Sequence, residues 1–259
     1  MPKQDVDIMQ KKEKIALLHS YDAINNKYEI GIDEAGRGPL FGRLYTAAVV
    51  LPKVGSFRYE DMKDSKKFHS KKKIQDVAKY IKDNAIAWSV QYIEASVIDD
   101  INIRQSVFRG MHECVREIMT KCQIIPNTDE SITYTNEYML LVDGNDFKPF
   151  TKYDDIKEEI FSIPHETFEQ GDNKFCSIAA ASILAKTSHD EYISNLCIEY
   201  PELVSRYSLD KNVGYGTKAH LLGIEEHGIT QWHRKSFARC NAANYAPLRE
   251  PYGSPNPSL

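Results

Sequence analysis

Residues 28–52 read YEIGIDEAGRGPLFGRLYTAAVVLP, in which an apolar run ends on two adjacent acids, Asp33 and Glu34, passes through Gly36-Arg37-Gly38-Pro39 and then turns apolar again. The pattern predicts a strand over Tyr28 to Asp33 and a second, mostly buried strand over Leu44 to Leu51, joined by a glycine-rich turn. A dinucleotide-binding loop is the rival reading of these glycines. It fails on the G-x-G-x-x-x-G spacing, on Pro39, and on the strand rather than helix that follows. The two acids therefore stand at a strand end, where adjacent negative charges need either water or a positive partner.

Working outward, Ser70 caps a predicted helix running to about Asn84, with Ile74, Val77, Ala78 and Ile81 on one face. A strand follows at Ile86–Ile93. Val107, Met111, Val115, Ile118 and Met119 place a long helix over Ile103–Cys122. The polar stretch PNTDESITYTNE (126–137) is a predicted loop, and YMLLVD a strand ending on Asp143, followed by an acidic surface segment. IPHETFEQGD leads into an Ala- and Ser-rich helix, NKFCSIAAASILAKTSHDEYISNLCIEY, and Thr217 caps a last one, KAHLLGIEEHG. Strands interleaved with helices predict an α/β layered fold on a mixed sheet.

At 259 residues and 42% hydrophobic content, the chain holds one sizeable domain. We divide it into an N-terminal extension (1–27) with room for a helix, a main domain (28–245), and a loose tail (246–259) with four prolines. No apolar run is long enough for a membrane span or a signal peptide, which predicts a cytoplasmic protein. Five scattered cysteines without a C-x-x-C pair argue for reduced thiols, against a disulfide framework or a zinc ribbon. The net charge of −4 and pI near 6.1 give no sign of a nucleic-acid partner. Locally the balance reverses, because KDSKKFHSKKK (63–73) holds six lysines against one acid.

Asp33 and Asp143 end strands and Asp172 precedes a helix, so these three and Glu34 are placed to gather at one edge of an open sheet. Two carboxylates about 4 Å apart repel by roughly 4 kcal/mol at an effective dielectric near 20, so such a group holds either protons or cations. Oxygen donors select Mg²⁺ or Mn²⁺ over zinc, and two such ions form a clamp for in-line phosphodiester hydrolysis. Taken one at a time, VDGN (142–145) and GDNK (171–174) are equally ordinary turn and cap sequences. Gly36-Arg37-Gly38 adds a surface that lets backbone approach a phosphate or sugar while arginine grips phosphate.

GIDEAGRGPLFG (31–42), DSKK (64–67), LLVDGN (140–145), Gly171-Asp172 with SIAAASILAK (177–186), GYGTKAH (214–220) and HRKSF (233–237) together resemble, in order, the motifs of the type 2 ribonuclease H family, ribonuclease HII. The resemblance runs from about residue 28 to 240, and HRKSF alone would carry little. It implies an RNase H-like mixed sheet flanked by helices, a helical C-terminal region, and a monomeric metal-dependent endonuclease. Its substrates would be RNA–DNA hybrids and RNA–DNA junction duplexes, cut 5′ to a ribonucleotide to leave 3′-OH and 5′-phosphate ends. Carried across, Asp33, Glu34, Asp143 and Asp172 match the metal-binding acids, with Asp33 expected to bridge both ions. Gly36, Arg37 and Gly38 match the loop that tests for the 2′-OH, the group that separates RNA from DNA. Tyr215 matches the tyrosine on the next sugar, and Ser65, Lys66 and Lys67 would hold phosphates without reading sequence.

The chain departs from the family pattern at Gln170 and Val213, where lysines are common, and at Arg43-Leu44-Tyr45, where small apolar residues are usual. The 126–137 loop looks like an insertion. About 27 residues before the first strand are too few for the extra domain of the type 3 enzymes. His189, His220, His227 and His233 are expected as surface or supporting groups without a catalytic part. The competing functional class is a non-catalytic hybrid-binding protein that kept the fold.

Overall fold

In the computed structural model, which describes residues 16–22, 28–53, 55–122, 138–154 and 158–249, the opening stretch forms β1 (Tyr28–Ala35) and β2 (Leu44–Val50). The helix capped by Ser70 is α1 (Lys71–Asn84); its cap side chain accepts from the Lys73 N–H. Then come β3 (Ala87–Ile93), α2 (Ala95–Ile101), α3 (Ile103–Lys121) and β4 (Tyr138–Asp143). A hairpin of β5 (Thr151–Asp154) and β6 (Glu159–Ser162) precedes β7 (His165–Phe168). The C-terminal third holds α4 (Cys176–Glu199), α5 (Glu202–Tyr207), α6 (Leu209–Asn212) and α7 (Lys218–His227).

The main sheet has the order β3-β2-β1-β4-β7, antiparallel from β3 to β1 and parallel from β1 to β7, so the sheet is mixed as the sequence predicts. Strand alternation divides its two faces. Ile30 and Ile32 of β1, with Leu140 and Val142 of β4, face the core made with α3. Ala47 and Val49 of β2 face α1 and α4. Gly31 shows how closely α4 lies on the sheet, because a Cβ there would stand 2.2 Å from the Ser177 carbonyl carbon. The small residues of SIAAAS serve that contact: Ser177 through Ala185 are all buried.

β1 and β4 pair in parallel with Ile32 opposite Val142. Asp33 and Asp143 are therefore the next residues on neighbouring strands, both following side chains that point to the α3 face, and both directed toward α4. A third apolar cluster forms beyond the sheet from Phe41, Ile193, Leu203, Tyr207, Leu209 and Ile224, among others. Phe41 is fully buried in it, which anchors the glycine loop to the C-terminal helices.

Some elements escape the sequence pattern. Residues 16–22 are not helical; Leu18 instead bridges to Phe175 in parallel, its N–H on the Lys174 carbonyl at 2.8 Å. The acidic segment after Asp143 contains the β5–β6 hairpin, whose exposed Tyr153 and Ile160 leave no alternation to read. β7 is a four-residue, partly exposed strand at the sheet edge. The 126–137 loop and residues 250–259 lie outside the described residues. Among the described residues, no helix is long and apolar enough to cross a membrane, and all five cysteines are free thiols.

Candidate active site

Where β1 and β4 end, a cavity of about 470 Å³ opens between the sheet, the glycine loop and α4. Asp33, Glu34, Asp143 and Asp172 all line it, with Gly36, Arg37, Gly38, Ser65, Lys66 and Tyr215. Of the residues the sequence singles out, Lys67 lies apart, in a neighbouring cavity, with its ammonium on the Asn173 side-chain oxygen.

Each acid has a nearby donor, from backbone for Asp33 and Asp143 and from a side chain for Glu34 and Asp172. The Glu34 N–H donates to Asp33 Oδ1 at 2.7 Å, and the Gly171 N–H donates to Asp143 Oδ1 at 2.6 Å. Asp172 sits in the 3₁₀ turn Gly171–Asn173, where Asn173 Nδ2 donates to its Oδ1 at 2.9 Å. Gly171 is closely packed, since a Cβ there would meet Ile178 Cδ1 at 2.7 Å and Asp143 Oδ1 at 3.2 Å. Glu34 leans toward Arg37, 3.4 Å from Nη1. Ser65 is buried, its hydroxyl 3.0 Å from that of Ser182 on α4. The neighbouring Asp64 accepts from the Lys66 N–H at 2.9 Å, which fixes the DSKK turn.

The electrostatics are those of a site short of positive charge. Burial pushes the Asp33 carboxyl well above the usual carboxylate range, and the charges of Glu34 and Asp143 push it further. Burial also raises Glu34, against the pull of Arg37, and Asp143, against the N–H groups of Gly171 and Asp172. Asp172 is pushed up to about 6 by burial, then by Asp64 and Asp143. Lys66 lowers both Asp143 and Asp172 without reversing either shift.

Hard carboxylate oxygens that destabilise one another's charge fit a hard divalent cation. As they stand, no three His, Cys, Asp or Glu side chains among the described residues close round a single point. Asp143 and Asp172 are turned to their own backbone and side-chain donors, and Glu34 to Arg37. The acids share one cavity, as the sequence leads one to expect, without closing into a cage.

Sequence reasoning missed the contribution of α4. Ser182, Lys186, His189 and Asp190 line the same cavity from one helical face, and Ser182 also hydrogen-bonds Asp33. Their spacing, i, i+4, i+7 and i+8, is a polar stripe in an apolar helix, which is a readable signal. His189 is 2% exposed, so of the two expectations, surface or supporting group, it is not at the surface. It lies beneath Gly36, whose φ of +82° and hypothetical Cβ, 2.6 Å from the imidazole Cδ2, both demand glycine. His220 and His233 are also fully buried.

A family model described as Ribonuclease HII matches residues 30–240. The ribonuclease HII of Parabacteroides distasonis is 40% identical over 211 residues, covering 82% of this chain and 90% of its own length. That of Bacteroides thetaiotaomicron is 42% identical over 209 residues, covering 81% and 88%. Among solved structures, the ribonuclease H2 of Pyrococcus horikoshii superposes with a TM-score of 0.55 at 21% identity, covering 83% of this chain and 95% of its own. Ribonuclease HII from Archaeoglobus fulgidus, solved in complex with PCNA, gives 0.56 at 22%, covering 80% and 91%. Bst-RNase HIII in complex with Mn²⁺ gives 0.52 at 19%, covering 85% and 70%. At these identities the structures speak for the fold.

Proposed function

The chain belongs to the ribonuclease HII family, an endoribonuclease of RNA–DNA hybrids and of ribonucleotides embedded in duplex DNA, and on that premise we propose how its own residues divide the work. A divalent metal goes with the family. Asp33, Glu34, Asp143 and Asp172 would hold two Mg²⁺ or Mn²⁺ ions. When bound, such ions supply Lewis acidity, making water nucleophilic at neutral pH and neutralising charge at the phosphodiester.

The protein's own share is positioning. Arg37 and the backbone of Gly36 and Gly38 approach the ribose and its phosphates, where close backbone tests for the 2′-OH. Tyr215, about half exposed, offers its ring to the next sugar, where a deoxyribose leaves room for it. Lys66 stands beside the acids and attracts the phosphate, while Lys67 and the turn through Ser65 extend the same basic edge. Cleavage 5′ to the ribonucleotide, leaving 3′-OH and 5′-phosphate ends, requires water to attack the phosphorus in line with the 3′-oxygen of the preceding nucleotide, which leaves. The same reading keeps the enzyme monomeric and cytoplasmic.

The observation that carries this reading is the shared cavity, in which four mutually destabilised carboxylates stand next to the glycine loop and Tyr215. It is tested by cleavage of a duplex with one ribonucleotide, beside a long hybrid and an all-DNA control, with Mg²⁺, Mn²⁺ or chelator. Metal-dependent cuts 5′ to the lone ribonucleotide are expected. A 2′,3′-cyclic phosphate product would show that the substrate's own hydroxyl attacks, and would overturn the assignment.

A further inference from the structure

Arg234 is fully buried, yet among the described residues it forms no ion pair with a carboxylate. Its guanidinium donates to backbone carbonyls instead: Nε to Gly42 at 3.0 Å, Nη1 to Pro39 at 2.9 Å and to Arg37 at 3.1 Å, and Nη2 to Gly36 at 2.6 Å. All four acceptors belong to the glycine loop. Burial brings the group down to about 10, so it remains cationic at neutral pH.

The geometry has a consequence for the opposite side of the loop. Every described peptide is trans, so a carbonyl turned inward sends the N–H of the same peptide outward. The Gly36 and Arg37 carbonyls face Arg234, which directs the N–H groups of Arg37 and Gly38 away from it, and both residues line the cavity. A cation on the carbonyl also polarises the peptide, which makes each N–H a stronger donor.

The adjacent His233 reaches the second substrate element. The Thr230 N–H donates to His233 Nδ1 at 2.9 Å, so that nitrogen is an acceptor and the proton of the neutral ring sits on Nε2. His233 Nε2 is 3.1 Å from His220 Nε2, which must then accept. His220 therefore carries its proton on Nδ1 and donates it to the Tyr215 carbonyl at 3.0 Å. One ordered row of hydrogen bonds runs from Thr230 to the backbone of Tyr215.

We propose that Arg234 and His233 are positioning residues for substrate reading: Arg234 turns the N–H groups of Arg37 and Gly38 into the cavity, and His233, through His220, holds Tyr215 beside them. The proposal rests on the reading of the glycine loop and Tyr215 as substrate contacts. Neither residue touches substrate. Two neighbours in the chain thus set the relative position of the ribose-testing loop and the ring at the next sugar.

The test is equilibrium binding by the full chain carrying Asp143→Asn, which keeps the duplexes intact. The readout is the preference for a duplex with one ribonucleotide over the all-DNA duplex. A smaller folded fraction scales both affinities alike and leaves this ratio unmoved, so a merely structural role is silent. Gly38→Ala probes the loop directly, since a Cβ there meets only Tyr215 at 3.5 Å, an ordinary contact. Gly38→Ala and Arg234→Gln should each cut the preference about tenfold, the equivalent of one or two lost hydrogen bonds. Arg234→Lys, with charge but one nitrogen for four carbonyls, should fall between. If Gly38→Ala collapses the preference while Arg234→Gln and Arg234→Lys both keep it, the positioning role is overturned and the loop reading stands. If no variant moves it, the loop reading itself falls. His233→Gln should lower the preference for a single ribonucleotide over a long hybrid as Tyr215→Ala does; a ratio moved by Tyr215→Ala and unmoved by His233→Gln would overturn the second half.

Discussion

Two groups of buried polar side chains lie on either side of the glycine loop, and they differ in how they are compensated. Burial raises the proton affinity of the four acids of the cavity, neighbouring carboxylates raise that of Asp33, Glu34 and Asp172 further, and nearby Lys66 and Arg37 do not restore the balance. Arg234 and the His220–His233 pair are more deeply buried, but their donors and acceptors are matched inside the fold. The contrast separates two uses of buried polarity. A group completed internally fixes geometry, whereas one left short of charge is open to completion from outside, which on the proposed function is the part of metal and substrate. Stability should therefore respond in opposite directions when each is disturbed.

The largest effect is expected from Asp143→Asn. Loss of one carboxylate from a site worth several kcal/mol of charge stabilisation should lower cleavage on the order of 1,000-fold, with hybrid binding largely kept. With chelator present, the same change should raise the melting temperature, because it removes a repelled charge and leaves the Gly171 N–H an acceptor. Arg234→Gln should do the reverse and cost about 3 kcal/mol, as several carbonyls lose a charged donor. If both variants were destabilising without metal, the contrast would fail.

Next is the pH dependence without metal. Burial holds His220 below its ordinary value and His233 down to about 3, so between there and about 6.5 the unfolded chain binds more protons than the native one. Stability from this pair is present above about pH 6.5 and declines below it, by up to about 1.4 kcal/mol per unit for each histidine. For Asp172, pushed up to about 6, the native state holds the extra proton below that value. Its cost to stability is present above about pH 6 and fades as pH falls. Denaturant titrations of the wild type should show these opposed slopes, with Asp172→Asn removing the acid's and His233→Gln altering the other. Added Mg²⁺ or Mn²⁺ should act on the acids' part alone.

Tyr215→Ala should cost about tenfold on a single embedded ribonucleotide and less on a long hybrid, measured as kcat/KM on the two substrates, since only the first presents a deoxyribose at the next position. Equal losses would remove Tyr215 from junction sensing and leave the acids' part untouched.

The acids were legible because their placement is local. Asp33 stands two residues before the end of β1 and Asp143 ends β4, each just after an apolar run, and one residue of alternation decides the face. Asp172 needed the motif order, since GDNK by itself is an ordinary turn. The internally completed half of the site was opaque for the converse reason. Arg234 bonds to carbonyls 192 to 198 positions earlier, and a carbonyl has no residue type to reveal it. The α4 stripe of Ser182, Lys186, His189 and Asp190 was readable as a stripe, but its direction toward the acids depends on the register of α4 against Gly31. Lys67 belongs to a basic run legible in the sequence, but that its ammonium is engaged by Asn173 was not.

The smallest effect is expected at Arg43, at the exit of the glycine loop. Its guanidinium lies 2.6 Å from Glu94 and 4.0 Å over the Tyr92 ring, with Tyr192 on a further side at 4.5 Å. Both partners of the ion pair are partly solvated, so the pair contributes little on its own, and the aromatic contacts add roughly as much again. Arg43→Ala should therefore cost about 1 kcal/mol by denaturant titration and leave the preference for ribonucleotide over DNA intact. Arg43 follows Gly42 directly, and the Gly42 carbonyl is one of the four that Arg234 holds. If losing Arg43 moved the substrate preference, the loop would owe its position to surface contacts as well, and the division between an internally fixed frame and an externally completed site would have to be redrawn at that residue.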